Sequence, residues 1–297
     1  MEAKLSGMGV VLITPFKTDE SVDFEALRRL VDYQIKSGTD YLVVLGTNAE
    51  TATLTEEEKD EITNFVVGYT NGRLPIVLGV GGNNTRVVVE KLKNGNFQGI
   101  SAILSTVPYY NKPSQEGIYQ HYRAIAEASK LPVILYNVPG RTVVNMTAET
   151  TLRLAVDFPK KIVAVKEASG DLNQMSHILS KKPKDFHVIS GDDSLTFPLI
   201  AIGGIGVMSV IGNAFPAEFS KMVRLAIAGD YAGAREIHLR FTELIDLLFV
   251  DGSPAGVKCM LSMMGYLENK LRLPLVPTRI ATMDKIKSVL DSLNVKY

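Results

Sequence analysis

The sequence predicts an α/β protein, a (β/α)8 TIM barrel with a C-terminal helical appendage, on three observations. Short β-branched apolar runs alternate with amphipathic stretches about eight times, which implies parallel strands joined by helical crossovers. The units recur at roughly 20 to 35 residues, the spacing of a closed barrel. After residue 230 the pattern turns to helices alone, so residues 1–230 read as the barrel and 231–297 as an appended helical subdomain. An open doubly wound sheet is the alternative architecture. Its glycine-rich stretches, Gly79-Val80-Gly81-Gly82 and Gly203-Gly204-Ile205-Gly206, fit neither GxGxxG after an early strand nor GxxxxGK[ST], and tight turns explain them.

The first strand runs from Met8 to Thr14 and is closed by Pro15; a helix follows from an Asp23 cap to Ser37, with Gly38 as its stop. Strand two is Tyr41 to Leu45, then GTNAET and a helix opened by a Thr55/Glu58 capping box. The alternation continues through strand Pro75–Gly79, helix Thr85–Asn94, strand Gly99–Leu104, helix Ser114–Ser129, strand Pro132–Tyr136 and helix Thr147–Phe158. Strand six ends on Lys166, a helix opens at Asp171, and strand Phe186–Ser190, helix Ser194–Ile202, strand Gly206–Val210 and helix Pro216–Ala228 complete the series. Three further helices are expected: Tyr231–Phe249, one opened by Ser253-Pro254 and ended by Gly265, and Pro277–Leu293.

The 297 residues are 46% apolar and carry 32 basic and 32 acidic side chains, so no charge excess argues for nucleic acid or an anionic membrane. MEAKLSGMGVV has no leader-like apolar core, and no apolar run is long enough to span a bilayer, which points to a cytoplasmic protein. The single cysteine, Cys259, lies in the apolar run VKCMLSMM and reads as a buried, inert thiol. His121, His177, His187 and His238 are scattered with no ligand spacing, so no metal is expected.

In a barrel of this kind, chemistry sits at the carboxyl ends of the strands. Those ends offer Thr14; Thr47, Asn48 and Glu50; Tyr109 and Tyr110; Tyr136 and Arg141; Lys166; and Gly191, Asp192 and Asp193. Lys166 is the sharpest signal. Ile162-Val163-Ala164-Val165-Lys166 is apolar throughout, and alternation puts Ile162, Ala164 and Lys166 on one face. Burial disfavours a charged ammonium. A lysine there either pairs with a carboxylate such as Glu167 or Glu50, snorkels to solvent, or serves as the neutral nucleophile of Schiff-base chemistry. If strands five and six are neighbours in register, Tyr136 comes near that amine as an acid/base, or else merely lines the barrel. Arg141, in the loop NVPGRT, is either a carboxylate clamp or a surface cation. Thr47 either hydrogen-bonds a substrate or relays a proton, or shapes the turn. Tyr109-Tyr110, framed by Pro108 and Pro113, reads as an interface pair.

Together GTNAET, PYYNKPSQEGIYQHY, YNVPGRT, VAVKEASGD, SGDD and GVMSV resemble, in order and over essentially the whole chain, the dihydrodipicolinate synthases of the pyruvate-dependent class I aldolase superfamily. The resemblance implies that Lys166 forms a Schiff base with pyruvate, without any cofactor. It also implies a proton relay of Tyr136, Thr47 and Tyr110, the last delivered into a neighbouring subunit's site. Arg141 would hold the carboxylate of L-aspartate 4-semialdehyde, while Thr47, Asn48, Gly191 and Met208 would line the pyruvate site. The implied product is 4-hydroxy-tetrahydrodipicolinate, on the way to lysine and diaminopimelate. The implied assembly is a homotetramer, a dimer of dimers whose Tyr109-Tyr110 loops cross the tight interface.

Three positions depart from the family pattern: Asn48 for a threonine, Ala49 for a glycine and Met208 for the usual isoleucine. An amide cannot pass a proton as a hydroxyl does. The family's feedback pocket for lysine is matched by Thr51, Ala52, Asn83 and Tyr109 but not by Val87 or Lys59, which predicts weak or absent inhibition. A sugar-acid aldolase resembling N-acetylneuraminate lyase, or a non-catalytic ligand-binding barrel, are the competing functions.

Overall fold

A computed structural model describes residues 5–295. Met1–Lys4, part of the stretch read above for a leader, and residues 296–297 lie outside the described residues. In chain order the elements are β1 (Gly7–Val11), α1 (Phe24–Lys36), β2 (Tyr41–Val44), α2 (Glu56–Thr70), β3 (Ile76–Gly79), α3 (Thr85–Asn94) and β4 (Ala102–Thr106). There follow α4 (Gln115–Ala128), β5 (Val133–Asn137), α5 (Pro139–Thr142), α6 (Ala148–Asp157), β6 (Ile162–Glu167), α7 (Leu172–Lys181), β7 (His187–Ser190), α8 (Thr196–Ala201), β8 (Gly206–Ser209) and α9 (Pro216–Ile227). The tail adds α10 (Tyr231–Leu247), α11 (Ala255–Met263) and α12 (Ile280–Ser292).

Each strand pairs in parallel with the next, and β8 returns to β1 through Met8↔Val207 and Gly9↔Met208, so the sheet closes and the open-sheet alternative falls away. The inside of the barrel is filled by Val11, Tyr41, Val43, Ile134, Tyr136, Ala164, Ile189 and Met208 among others. Gly9 makes room for the Tyr41 ring: a Cβ there would sit 2.1 Å from a ring carbon. A second layer, including Val10, Leu42, Val133, Ile162 and Val165, packs under the surrounding helices. The tail helices join a third cluster with β1 and α9, in which Phe241, Leu248, Met260 and Ile286 meet Met8, Ile13 and Phe219.

Local signals act as read. The Asp23 side chain accepts from Ala26 N, and Thr55 and Glu58 form the full capping box. Three differences have physical causes. The register between β5 and β6 slips between Val133 and Ile134, so that Ile134 pairs with Ala164 while Val133 pairs with Ile162. This bulge at Val163 turns Ile162 outward to the helices, and only Ala164 and Lys166 share the inner face. NVPGRT is not a plain loop: Pro139 at the first helical position sets up the single turn α5, ended by Val143 at φ 59°. The last helix starts at Ile280 rather than Pro277, because Asp251 takes Arg279 N at 3.0 Å and fixes where the turn begins. No helix among the described residues is long and apolar enough to cross a membrane.

Candidate active site

At the carboxyl end of the barrel a cavity of about 450 Å³ is walled by Thr47, Asn48, Tyr136, Arg141, Lys166 and Gly191, with Ser253 and Leu275 from the tail. The β5–β6 ladder builds its floor. Tyr136 and Lys166 are register partners, and the Lys166 Nζ lies 4.1 Å from the centre of the Tyr136 ring. Both are buried.

Neither carboxylate named as a partner for Lys166 takes that role. Glu167 alternates to the opposite face, where it accepts from Asn137 Nδ2 at 2.6 Å, Ser169 Oγ at 3.0 Å and Gln174 Nε2 at 3.3 Å. Burial pushes its carboxyl up to about 7, against the pull of those donors. Glu50 is held by a different lysine, Lys258 of α11, with Nζ 2.5 Å from Oε1 and both side chains fully buried. Lys166 therefore sits in the wall of a cavity with no ion-pair partner among the described residues.

The Thr47 loop is made of two short 3-10 turns, Thr47–Ala49 and Thr51–Thr53, hinged at Glu50 in the left-handed region, φ 54°. A non-glycine residue there is strained by about 1 kcal/mol or more, so the surroundings must hold it. Thr14 Oγ1 donates to Ala49 O at 2.8 Å, Arg272 N donates to Glu50 Oε2 at 3.1 Å, and Lys258 anchors the other carboxylate oxygen. Lys258 also donates to Lys270 O and lies over the Phe16 ring. Burial lowers the Lys258 ammonium to about 8, with Glu50 pulling the other way. The tail thus braces the loop that carries Thr47 and Asn48.

Gly191 is at the cavity for lack of a side chain: an added Cβ would lie 3.0 Å from Lys166 Cε and 2.8 Å from Ala168 Cβ. Arg141 stands exposed on the rim, its Nη2 3.5 Å from Ser253 O. Two expected site residues are elsewhere in this chain. Met208 is buried in the inner barrel cluster and does not line the cavity, while Val210 does. Tyr110 is 89% exposed, at φ 72°, and does not line Lys166's cavity. Tyr109 borders a contiguous groove with Thr51, Ala52, Lys59, Val87 and Lys91; Asn83 instead accepts from Asn111 Nδ2 through its carbonyl. Among the described residues no group of three or more His, Cys, Asp or Glu could hold a metal.

Reading the strand ends alone missed Ser253, because it comes from the tail. It also missed the Glu50–Lys258 pair, although a lysine inside the apolar run VKCMLSMM was a visible signal of a buried partner.

The family model described as the dihydrodipicolinate synthetase family matches residues 4–293. The 4-hydroxy-tetrahydrodipicolinate synthase of Parabacteroides distasonis is 70% identical over 295 residues, covering 99% of this chain and 99% of the relative. That of Phocaeicola vulgatus is 66% identical over 296 residues, covering 100% and 99%. Among solved structures, the dihydrodipicolinate synthase from Aquifex aeolicus matches with a TM-score of 0.94 at 39% identity, over 98% of this chain and 99% of that one.

Proposed function

We infer, because this chain belongs to the dihydrodipicolinate synthetase family, that it condenses pyruvate with L-aspartate 4-semialdehyde to give 4-hydroxy-tetrahydrodipicolinate. It is a lyase of the class I aldolase type, in the route to lysine and diaminopimelate. One observation carries the assignment of roles: Lys166 is a buried amine without a carboxylate partner, across the ladder from a phenol, in the wall of a cavity at the catalytic end of a barrel.

Lys166 attacks the keto carbon of pyruvate and water leaves, giving an imine. Loss of a methyl proton then gives an enamine, whose carbon attacks the aldehyde. The second substrate's own amine attacks the imine carbon, closes the ring and releases Lys166. The imine itself is the electron sink, so the chemistry calls for no resident cofactor. Tyr136 moves protons to and from the nitrogen and the leaving hydroxyl, and Thr47, which lines the same cavity, belongs to that relay. Arg141 at the rim suits the carboxylate of the semialdehyde, and this guanidinium favours the synthase over a sugar-acid aldolase.

Tyr110 completes the relay from a second copy of the chain, which accounts for a strained, exposed tyrosine on a proline-framed loop. A homotetramer built as a dimer of dimers supplies that contact, in the cytoplasm, with residues 231–297 acting as the appendage that braces the barrel mouth. Gly191 and Asn48 line the pyruvate site, and Met208 supports it from below.

Borohydride reduction in the presence of pyruvate tests this. A stable adduct on the Lys166 peptide is expected, and pyruvate bound without any adduct would overturn the covalent route. Gly191→Ala should push the Lys166 stem aside and cut kcat/KM about 100-fold, the cost of an ångström-scale misplacement; a loss under threefold would contradict that geometry. Inhibition by L-lysine is expected to be absent at low millimolar concentration. Lys59 and Lys91 converge on Glu56 at 2.6 Å each, so the groove already holds two ammonium groups on one carboxylate, and Val87 offers no counter-charge. Inhibition in steady-state assays at or below that concentration would refute it.

A further inference from the structure

One residue beyond Tyr136↔Lys166, the same ladder pairs Asn137 with Glu167. Alternation turns this second pair to the outside of the barrel, where both side chains are buried. Asn137 Nδ2 crosses between the strands to Glu167 Oε1 at 2.6 Å, while Ser169 Oγ and Gln174 Nε2 donate to the other oxygen. Asn137 also holds the chain returning from α5, accepting from Met146 N at 2.9 Å and donating to Asn145 Oδ1 at 2.8 Å. Gln174 closes the ring from α7, since its Oε1 accepts from Asn145 Nδ2 at 2.8 Å. The donors to Glu167 are all neutral and no cation pairs with it among the described residues, so the carboxylate is buried at a cost, and burial pushes it up to about 7. Groups disfavoured in this way concentrate at functional sites. On the other side of Tyr136↔Lys166 the ladder is irregular, because its register slips between Val133 and Ile134. A further slip of one residue would carry Lys166 to the outer face, and the rung above is what opposes it.

We propose that Asn137 and Glu167 are positioning residues, a clamp on the outer face that holds the Tyr136 phenol against the Lys166 amine for imine formation. This rests on the Schiff-base reading above and adds the residues that set its geometry. Neither side chain lines the cavity, so the clamp acts only through the strands. Each end of it is one peptide bond from a member of the reacting pair, and a side-chain hydrogen bond across β5 and β6 fixes how far the two can slide. Its backbone extends the hold: Ala168 N donates to Asn137 O at 2.9 Å, and Gly191 N, beside the Lys166 stem, donates to Glu167 O at 2.7 Å. A carboxylate suits the place because it meets three donors with acceptors alone.

The test follows the half-reaction with saturating pyruvate alone, quenched with borohydride at timed intervals, so that Arg141 and the second substrate play no part. Asn137→Leu removes the crossing donor and should slow the appearance of the Lys166 adduct about 100-fold, with kcat falling in step, the scale of an ångström-sized misplacement. Rates are referred to the folded fraction from a melting curve, which separates misplacement from lost stability. Asn137→Asp combined with Glu167→Gln exchanges the two groups. The carboxylate then sits on β5, where it accepts from Met146 N and from the new amide, and the amide oxygen on β6 accepts from Ser169 and Gln174. This double variant should come within about fivefold of the unaltered chain, because the two side chains act as one unit. If Asn137→Leu does not fold, the exchange decides alone. A loss under about threefold in Asn137→Leu, a lowered melting temperature with normal rates per folded molecule, or an exchange variant slowed by more than about fivefold would each overturn the clamp while leaving the Schiff base in place. No adduct in the unaltered chain would overturn both.

Discussion

Lys166→Ala is expected to lower kcat for the condensation by at least about 10⁴-fold, the scale seen when a covalent nucleophile is removed. The pyruvate adduct should vanish with it. The loss should be chemical rather than structural: Lys166 forms no ion pair among the described residues, so its removal strands no buried charge. The inner cluster of Ile134, Ala164 and Ile189 below it stays packed. Thermal unfolding should therefore shift little, and this separates the nucleophile from a merely structural lysine. Steady-state rates, mass mapping after borohydride and a melting curve check the prediction together. Retention of more than about a tenth of the wild-type rate would remove Lys166 from the mechanism.

The fold was legible because its signals are local and repeated. Capping residues such as Asp23 and Thr55 act within one helical turn, and eight apolar runs leave few ways to bury their faces except a barrel. Lys166 and Tyr136 stood out for the same reason, since each ends a buried strand and their pairing needs only neighbouring strands in register. What stayed hidden depends on contacts between distant segments. A one-residue slip at Val163 reverses the outward face below it, and no alternation rule registers an extra residue in an apolar run. Arg141's turn depends on Pro139 together with a strained Val143. Ser253 and Lys258 reach the mouth from the tail, more than 200 positions from Asn48 and Glu50. The choice of Glu50's partner was open from sequence, because a buried carboxylate shows that it needs a cation but not which one.

Lys258 gives the second large effect, this time on stability. Its ammonium is fully buried against Glu50, itself fully buried, with Lys270 O and the Phe16 ring as its other neighbours. Lys258→Met keeps an unbranched side chain, one atom shorter, but leaves the Glu50 carboxylate in the interior with Arg272 N as its remaining donor. Breaking a buried pair from one side costs about 3 to 5 kcal/mol, because the surviving charge has lost its compensation. The denaturation midpoint should fall accordingly. The loop should loosen as well, since Glu50 is the left-handed hinge that directly follows the turn carrying Thr47 and Asn48. A rise in KM for pyruvate should then accompany the lost stability. Glu50→Gln combined with Lys258→Met should recover most of the stability, because a neutral amide can still accept from Arg272 N and no charge is left buried. A single Lys258→Met variant within about 1 kcal/mol of the original, or a double variant no better than the single, would show that the pair is not what holds the loop. The coupling follows from geometry: the helices that add no strand to the barrel supply the cation for a carboxylate on the loop bearing two proposed pyruvate contacts.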